Sequence, residues 1–180
     1  MKSWTSELLA TALITGTFGY KGYVKAKSLS GELGHFKALK KLFIRFYDSP
    51  FQTLTLQDGY FTVEDLVIRS NDILVKFEGI DDSAAAKQFK SATVLVPRCD
   101  AAPLYEGEYY IHDLCNCNLV CDGKVVGKIT NVVEGGSSFL VELSEVETGR
   151  LVYIPFNDEF IGEINLQKFT VQLMHRWILD

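Results

Sequence analysis

Alternation of apolar and polar positions dominates the first half of the chain. Residues 9–14, Leu-Ala-Thr-Ala-Leu-Ile, run into a glycine-punctuated stretch, after which Tyr23-Val24-Lys25-Ala26-Lys27-Ser28 alternates with the strand period of two. The same reading predicts strands over 42–47, 62–70, 73–77 and 93–96, with Asn71-Asp72 suited to a tight hairpin between two of them. One helix interrupts the strands. Asp81-Asp82-Ser83 offers capping oxygens to Ala84-Ala85-Ala86-Lys87-Gln88-Phe89, whose residues have high helix propensity. A further helical turn is expected somewhere within 36–43.

The second half reads as shorter strands. Asp122-Gly123 predicts a hairpin between 119–121 and 124–133. Gly135-Gly136 marks another turn, strands follow over 139–143 and 151–154, and Pro155 ends that run. Short strands with turns every 8–12 residues indicate a barrel or sandwich. Between the halves, Pro97-Arg98-Cys99-Asp100-Ala101-Ala102-Pro103 places two prolines around small residues, which predicts a stiff extended connection. The expected organisation is therefore all-β: two small β-barrel domains over 1–97 and 107–180, a linker over 98–106, and one or two short helices.

Composition supports this division. The 180 residues suffice for two domains of roughly 80–100 residues, and no apolar run approaches the ~18 residues that span a bilayer. A secretory leader fits Met1–Ile14 poorly, because one lysine precedes a minimal apolar run that Glu7 interrupts, so a first strand is the better reading. The four cysteines at 99, 115, 117 and 121 are then expected as reduced cytosolic thiols. Charge changes sign at the same boundary. Residues 1–98 carry 13 Lys+Arg against 10 Asp+Glu, and residues 99–180 carry 5 against 13. Between 21 and 45 seven cations face only Glu32. One half is thus suited to approach phosphate, and the other to attract a basic protein.

Few residues along the chain suggest catalytic chemistry. No Gly-x-Ser-x-Gly, phosphate-loop or dinucleotide pattern is present, and nothing calls for a cofactor or an enzymatic role. His112 and Asp113 are neighbours that a strand would point to opposite faces. His112, Cys115, Cys117 and Cys121 include good zinc ligands, with Cys115 and Cys117 on one strand face. Buried free cysteines behave as small hydrophobes, so core packing is expected and no metal. Gly16, Gly19 and Gly22 lead into a strand rather than a helix, which makes them a structural loop rather than a phosphate cradle. Tyr109-Tyr110 is a candidate recognition surface, since neighbours on extended backbone cannot both enter one small core.

Six segments in order carry a family resemblance. Gly16-Thr17-Phe18-Gly19-Tyr20-Lys21-Gly22-Tyr23-Val24-Lys25, residues 78–86, Gly107-Glu108-Tyr109-Tyr110-Ile111-His112-Asp113-Leu114, Val126-Gly127-Lys128-Ile129, Ile154-Pro155-Phe156 and Trp177-Ile178-Leu179-Asp180 resemble the ribosome maturation factor RimM family. Departures are Phe18 where that family usually has histidine, Cys115 and Cys117 at small or aliphatic positions, and Trp177-Ile178 in place of Gly-Leu. The resemblance implies an N-terminal six-stranded barrel like those of translation factors and a C-terminal PRC barrel. It implies a non-enzymatic, cytoplasmic assembly factor, most simply a monomer, that binds the small-subunit head ribosomal protein numbered nineteen and promotes head maturation and rRNA processing. Tyr109 and Tyr110 are the implied contact. Glu106 and Glu108 are expected to steer the basic partner, while Lys21, Lys25 and Lys27 face rRNA. The alternative is a direct RNA-binding β-barrel module, against which stand the acidic pI near 5.2 and the lack of a clustered aromatic–basic surface.

Overall fold

The computed structural model describes residues 7–47, 56–136 and 138–180. Of the Met1–Ile14 stretch, residues 1–6 lie outside the described residues and Leu8 onward is strand. The chain divides into two compact units, residues 1–103 and 104–180.

The first unit is a closed barrel of six strands: β1 (Leu8–Phe18), β2 (Tyr23–Ser28), β3 (Lys41–Arg45), β4 (Gly59–Ile68), β5 (Ile73–Phe77) and β6 (Thr93–Pro97), joined in the order β1-β2-β5-β4-β3-β6. All ladders are antiparallel. Closure depends on β1, which pairs with both β2 and β6 and carries register shifts at Ala10/Ala12 and Ile14/Gly16. Each bulge bends the strand and adds twist, which lets eleven residues wrap from one neighbour to the other. Inward positions follow the alternation: Ala12 and Ile14, Val24 and Ala26, Leu42 and Ile44 are all buried. Helix α1 (Ser83–Lys87) starts where Asp82 accepts N–H bonds from Ala84 and Ala85, both at 2.8 Å. Just beyond its end Phe89 stacks on Phe77 with ring centroids 5.1 Å apart, inside a core that also holds Phe36.

Two expectations in this unit are corrected. The helical turn within 36–43 is a 3-10 turn at Gly34–Ala38, where Phe36 is the buried plug, and the rest of that stretch is already entering β3. The stretch 97–103 is not extended throughout, because Arg98–Asp100 forms a 3-10 turn after Pro97.

The second unit is one six-stranded sheet around its own core. Its elements are α2 (Ile111–Leu114), β7 (Asn118–Cys121), β8 (Lys124–Glu134), β9 (Phe139–Glu145), β10 (Leu151–Pro155), β11 (Ile161–Asn165) and β12 (Thr170–Leu173). The order is β10-β9-β8-β7-β12-β11, with β7 and β12 parallel. Asp122 and Gly123 both take positive φ, as the tight β7–β8 hairpin requires. Leu119, Ile129, Leu143, Ile154 and Leu173 fill the core. His112 and Asp113 sit on the single turn of α2 rather than on a strand. Cys115 caps that turn and Cys117 precedes β7, so the two cysteines do not share a strand face.

Candidate partner-binding surfaces

Tyr109 and Tyr110 stand at the entrance to α2, with Tyr110 as its N-cap on extended backbone. Both are half-buried, and Tyr109 packs against the core of the second unit. Neither is sacrificed to solvent, because the chain turns into the helix directly after them. Ahead of them, residues 105–108 make a tight turn. The Glu108 N–H donates to the Tyr105 carbonyl at 3.0 Å, and Gly107 supplies the left-handed φ of +83°. The Tyr105 N–H in turn donates to the Glu108 carboxylate at 3.0 Å. Glu106 and Glu108 are exposed, beside the exposed apolar groups of Leu104, Tyr105 and Ile111. The turn thus gathers two carboxylates and a broad aromatic–aliphatic area on one short segment.

The three expected RNA-facing lysines differ. Lys21 lies in the turn between β1 and β2, and Lys27 on the outer side of β2; both are exposed and make no ion pair among the described residues. Lys25, also outward on β2, pairs with Asp72 at 3.1 Å and is partly neutralised there. The three glycines differ as well. Gly16 is not in a loop: it lies within β1 at a bulge. Gly19 and Gly22 occupy the turn with φ of +64° and +80°. Gly22 is also pressed against the backbone, since an added Cβ would lie 1.8 Å from the Ile80 carbonyl oxygen.

The cysteines of the second unit have local partners. The Cys115 thiol donates to the Thr130 carbonyl and the Cys117 thiol to the Asp113 carbonyl, each at 3.4 Å. Burial pushes the thiols of Cys115, Cys117 and Cys121 above their ordinary pKa. Among the described residues no three His, Cys, Asp or Glu side chains converge as a metal site would. The outer surface of the first unit carries a short charge network instead. Lys76 donates to Asp81 and Glu64, both at 2.8 Å, and those bonds hold its ammonium above the usual lysine range. Tyr23 donates to Asp65 at 2.6 Å, which raises its phenol.

The expected absence of a clustered aromatic–basic surface is overturned. Along β3 the side chains of Lys41, Phe43 and Arg45 alternate with the buried Leu42 and Ile44, and the exposed Tyr47 follows two residues on. Register sets Phe43 opposite Tyr60 of β4, with their rings edge-to-face at 5.2 Å. The signal was present in the period-two spacing of 41, 43, 45 and 47. The strand over 42–47 carries that spacing in the sequence, whereas the second ring, Tyr60, comes from β4 and is brought beside Phe43 only by the register.

The fold defines a class: a mostly β protein of two compact units, a closed six-stranded barrel in the half with an excess of cations and a six-stranded sheet in the half with an excess of carboxylates. The comparisons narrow it. The RimM N-terminal domain matches residues 9–101, and the RimM PRC barrel domain matches residues 111–179. The ribosome maturation factor RimM of Treponema denticola is 49% identical over 178 residues, 97% of this chain and 99% of its own. That of Treponema pallidum is 38% identical over 174 residues, covering 94% and 99%. A RimM crystal structure from Pseudomonas aeruginosa aligns over 93% of this chain and 96% of its own, at 18% identity and a TM-score of 0.43. The chain belongs to the ribosome maturation factor RimM family.

Proposed function

We propose that this protein is a non-enzymatic, cytoplasmic assembly factor that holds the maturing small ribosomal subunit through its second unit. The contact is the small-subunit head ribosomal protein numbered nineteen, and the outcome is maturation of the head and processing of its rRNA. The observation that carries the reading is the 104–111 segment. It presents Tyr109 and Tyr110 at the start of α2, with the exposed Tyr105, Glu106 and Glu108 immediately before them. Tyrosines supply large contact area at low entropic cost, and the carboxylates complement a basic protein. The excess of acidic over basic residues in 99–180 extends that complementarity over the whole unit. The proposed division of labour follows the expected domains: 1–97 near rRNA, 98–106 as connection, 107–180 as the protein-binding barrel, all within a monomer.

Co-sedimentation of the purified protein with free small subunits and with whole ribosomes tests this reading. Binding to free small subunits alone, lost in Tyr109→Ala/Tyr110→Ala, is the expected result. Equal binding to whole ribosomes, or none to either, would overturn it. Replacing Glu106 and Glu108 by lysine should slow association and flatten its salt dependence.

A further inference from the structure

We propose that the outer face of β3 and β4 is a stacking platform for single-stranded RNA. The inference rests on the reading of the first unit as the RNA-facing one, and it assigns that role to residues other than Lys21, Lys25 and Lys27.

The face is built by strand geometry. Leu42 and Ile44 are fully buried in the barrel, so Lys41, Phe43 and Arg45 are turned out of it. Successive outward positions are spaced by roughly 6.6 Å, two residues of strand rise. Tyr47 continues the series, with its hydroxyl 3.4 Å from the Thr93 Oγ1, and Thr93 is the register partner of Arg45. Tyr60 stands beside Phe43 on the neighbouring strand. Cation and ring therefore alternate along one strand, and a second ring widens the surface. Tyr47 and Tyr60 are each 57% exposed.

The charges remain available to a phosphate backbone. Lys41 makes no ion pair among the described residues, and Lys37 and Lys40 are exposed close by in sequence. Arg45 reaches Asp58 at 3.9 Å, a loose pair with both side chains 47% exposed to water. Such a pair is weak and readily exchanged for a phosphate.

Three aromatic rings interleaved with cations match what unpaired nucleotides require: a π-face for each base and a positive charge for each phosphate. A duplex keeps its bases stacked on one another and cannot use the rings. The residues opposite the stripe include Thr62, Thr93 and Leu95, which offer few groups for reading base edges. Binding on this face is therefore tolerant of sequence.

Fluorescence anisotropy of the full chain with a labelled twelve-residue uridine oligomer at 50 mM salt tests the site. The oligomer is expected to bind more tightly than an RNA duplex of equal length. Tyr60→Ala and Tyr47→Ala should each weaken it by roughly 5- to 140-fold, the range for loss of one base stack. Lys41→Ala, on an exposed side chain, should reduce the slope of log affinity against log salt by about 0.7. No binding of the oligomer by the wild type, equal binding of the duplex, or tyrosine variants that bind like the wild type would each overturn the proposal. The probe is free RNA, so failure here leaves subunit binding through the second unit standing. Failure of co-sedimentation likewise leaves this site standing.

Discussion

Gly22→Ala should unfold the first unit far more readily than any substitution by alanine at the neighbouring turn glycine. Gly22 takes φ of +80°, where a side chain costs about 1–2 kcal/mol. It also approaches the chain that enters α1. The new Cβ would sit 1.8 Å from the Ile80 carbonyl oxygen, whereas ordinary contact begins at 3.4 Å, so the two backbones must part by about 1.6 Å. No side-chain rotation can relieve a clash between two backbones. Overpacking of this kind costs a further ~1–3 kcal/mol, which brings the total to about 2–5 kcal/mol. Displacing Ile80 also disturbs Asp81, which holds Lys76, and Asp82, which caps α1. Against a domain stability of about 5–15 kcal/mol the loss is severe. Gly19→Ala is the control. Its φ is +64° with nothing within 4 Å of the added atom, so only the ~1–2 kcal/mol conformational cost applies. Hydrogen exchange of the β1 and β2 amides across a urea series reads the first unit without interference from the second. If the two variants lose equal stability, the close approach at Ile80 does not constrain the barrel and the reasoning fails.

Three further outcomes follow from the same geometry. Asp82→Ala should cost the first unit about 1 kcal/mol by removing both capping bonds, while Asp82→Asn should cost much less; urea midpoints decide it. The Glu32 carboxyl is held below its ordinary pKa, first by the hydrogen bond with His35 and then by the N–H groups of His35 and Gly34. Its contribution is therefore complete above the unfolded carboxylate value of about 4.3 and is lost as pH falls through the lower folded value. Glu32→Gln should flatten the acid limb of the unit's stability profile. Iodoacetamide at neutral pH should label exposed Cys99 first, because burial suppresses the thiolate at the other three cysteines; Cys99→Ser should abolish the fast phase seen by mass spectrometry.

The barrel was legible because β2 and β3 alternate with period two, while β5 and β6 are short apolar, β-branched runs bounded by turn residues. All six were visible, and capping oxygens ahead of an alanine run marked α1. The losses came where a local rule was broken. β11 escaped because the register shifts between Ile161 and Ile164, which puts its apolar residues three apart rather than two. β12 has only four residues and pairs in parallel with β7, a contact no local pattern announces. α2 is a single turn whose N-cap is a tyrosine that makes no side-chain capping bond to the helix, so no capping signal preceded it. That omission then misplaced His112, Asp113 and Cys115 onto a strand. Gly16 read as loop because glycine within a strand looks like a break, whereas here it lies inside β1 at a bulge.

The same distinction between local and average properties bears on RNA. An acidic pI near 5.2 counts against a polyanion only if the ligand senses the mean charge. At physiological ionic strength exposed charges are screened over about 8 Å, little more than the spacing between alternate residues of a strand. A nucleotide on β3 therefore responds chiefly to the charges within that distance, which are Lys41, Arg45 and the Asp58 carboxylate that Arg45 loosely meets. The sign that matters is that of the patch. Residues 1–98 carry more cations than anions, and the seven cations between 21 and 45 include both of those on β3. The excess of carboxylates over cations that lowers the pI belongs to the other unit, where a basic protein is the proposed ligand. Segregating the charges lets one chain of net charge −5 present opposite signs to two kinds of partner, which a uniform surface of the same net charge could not do.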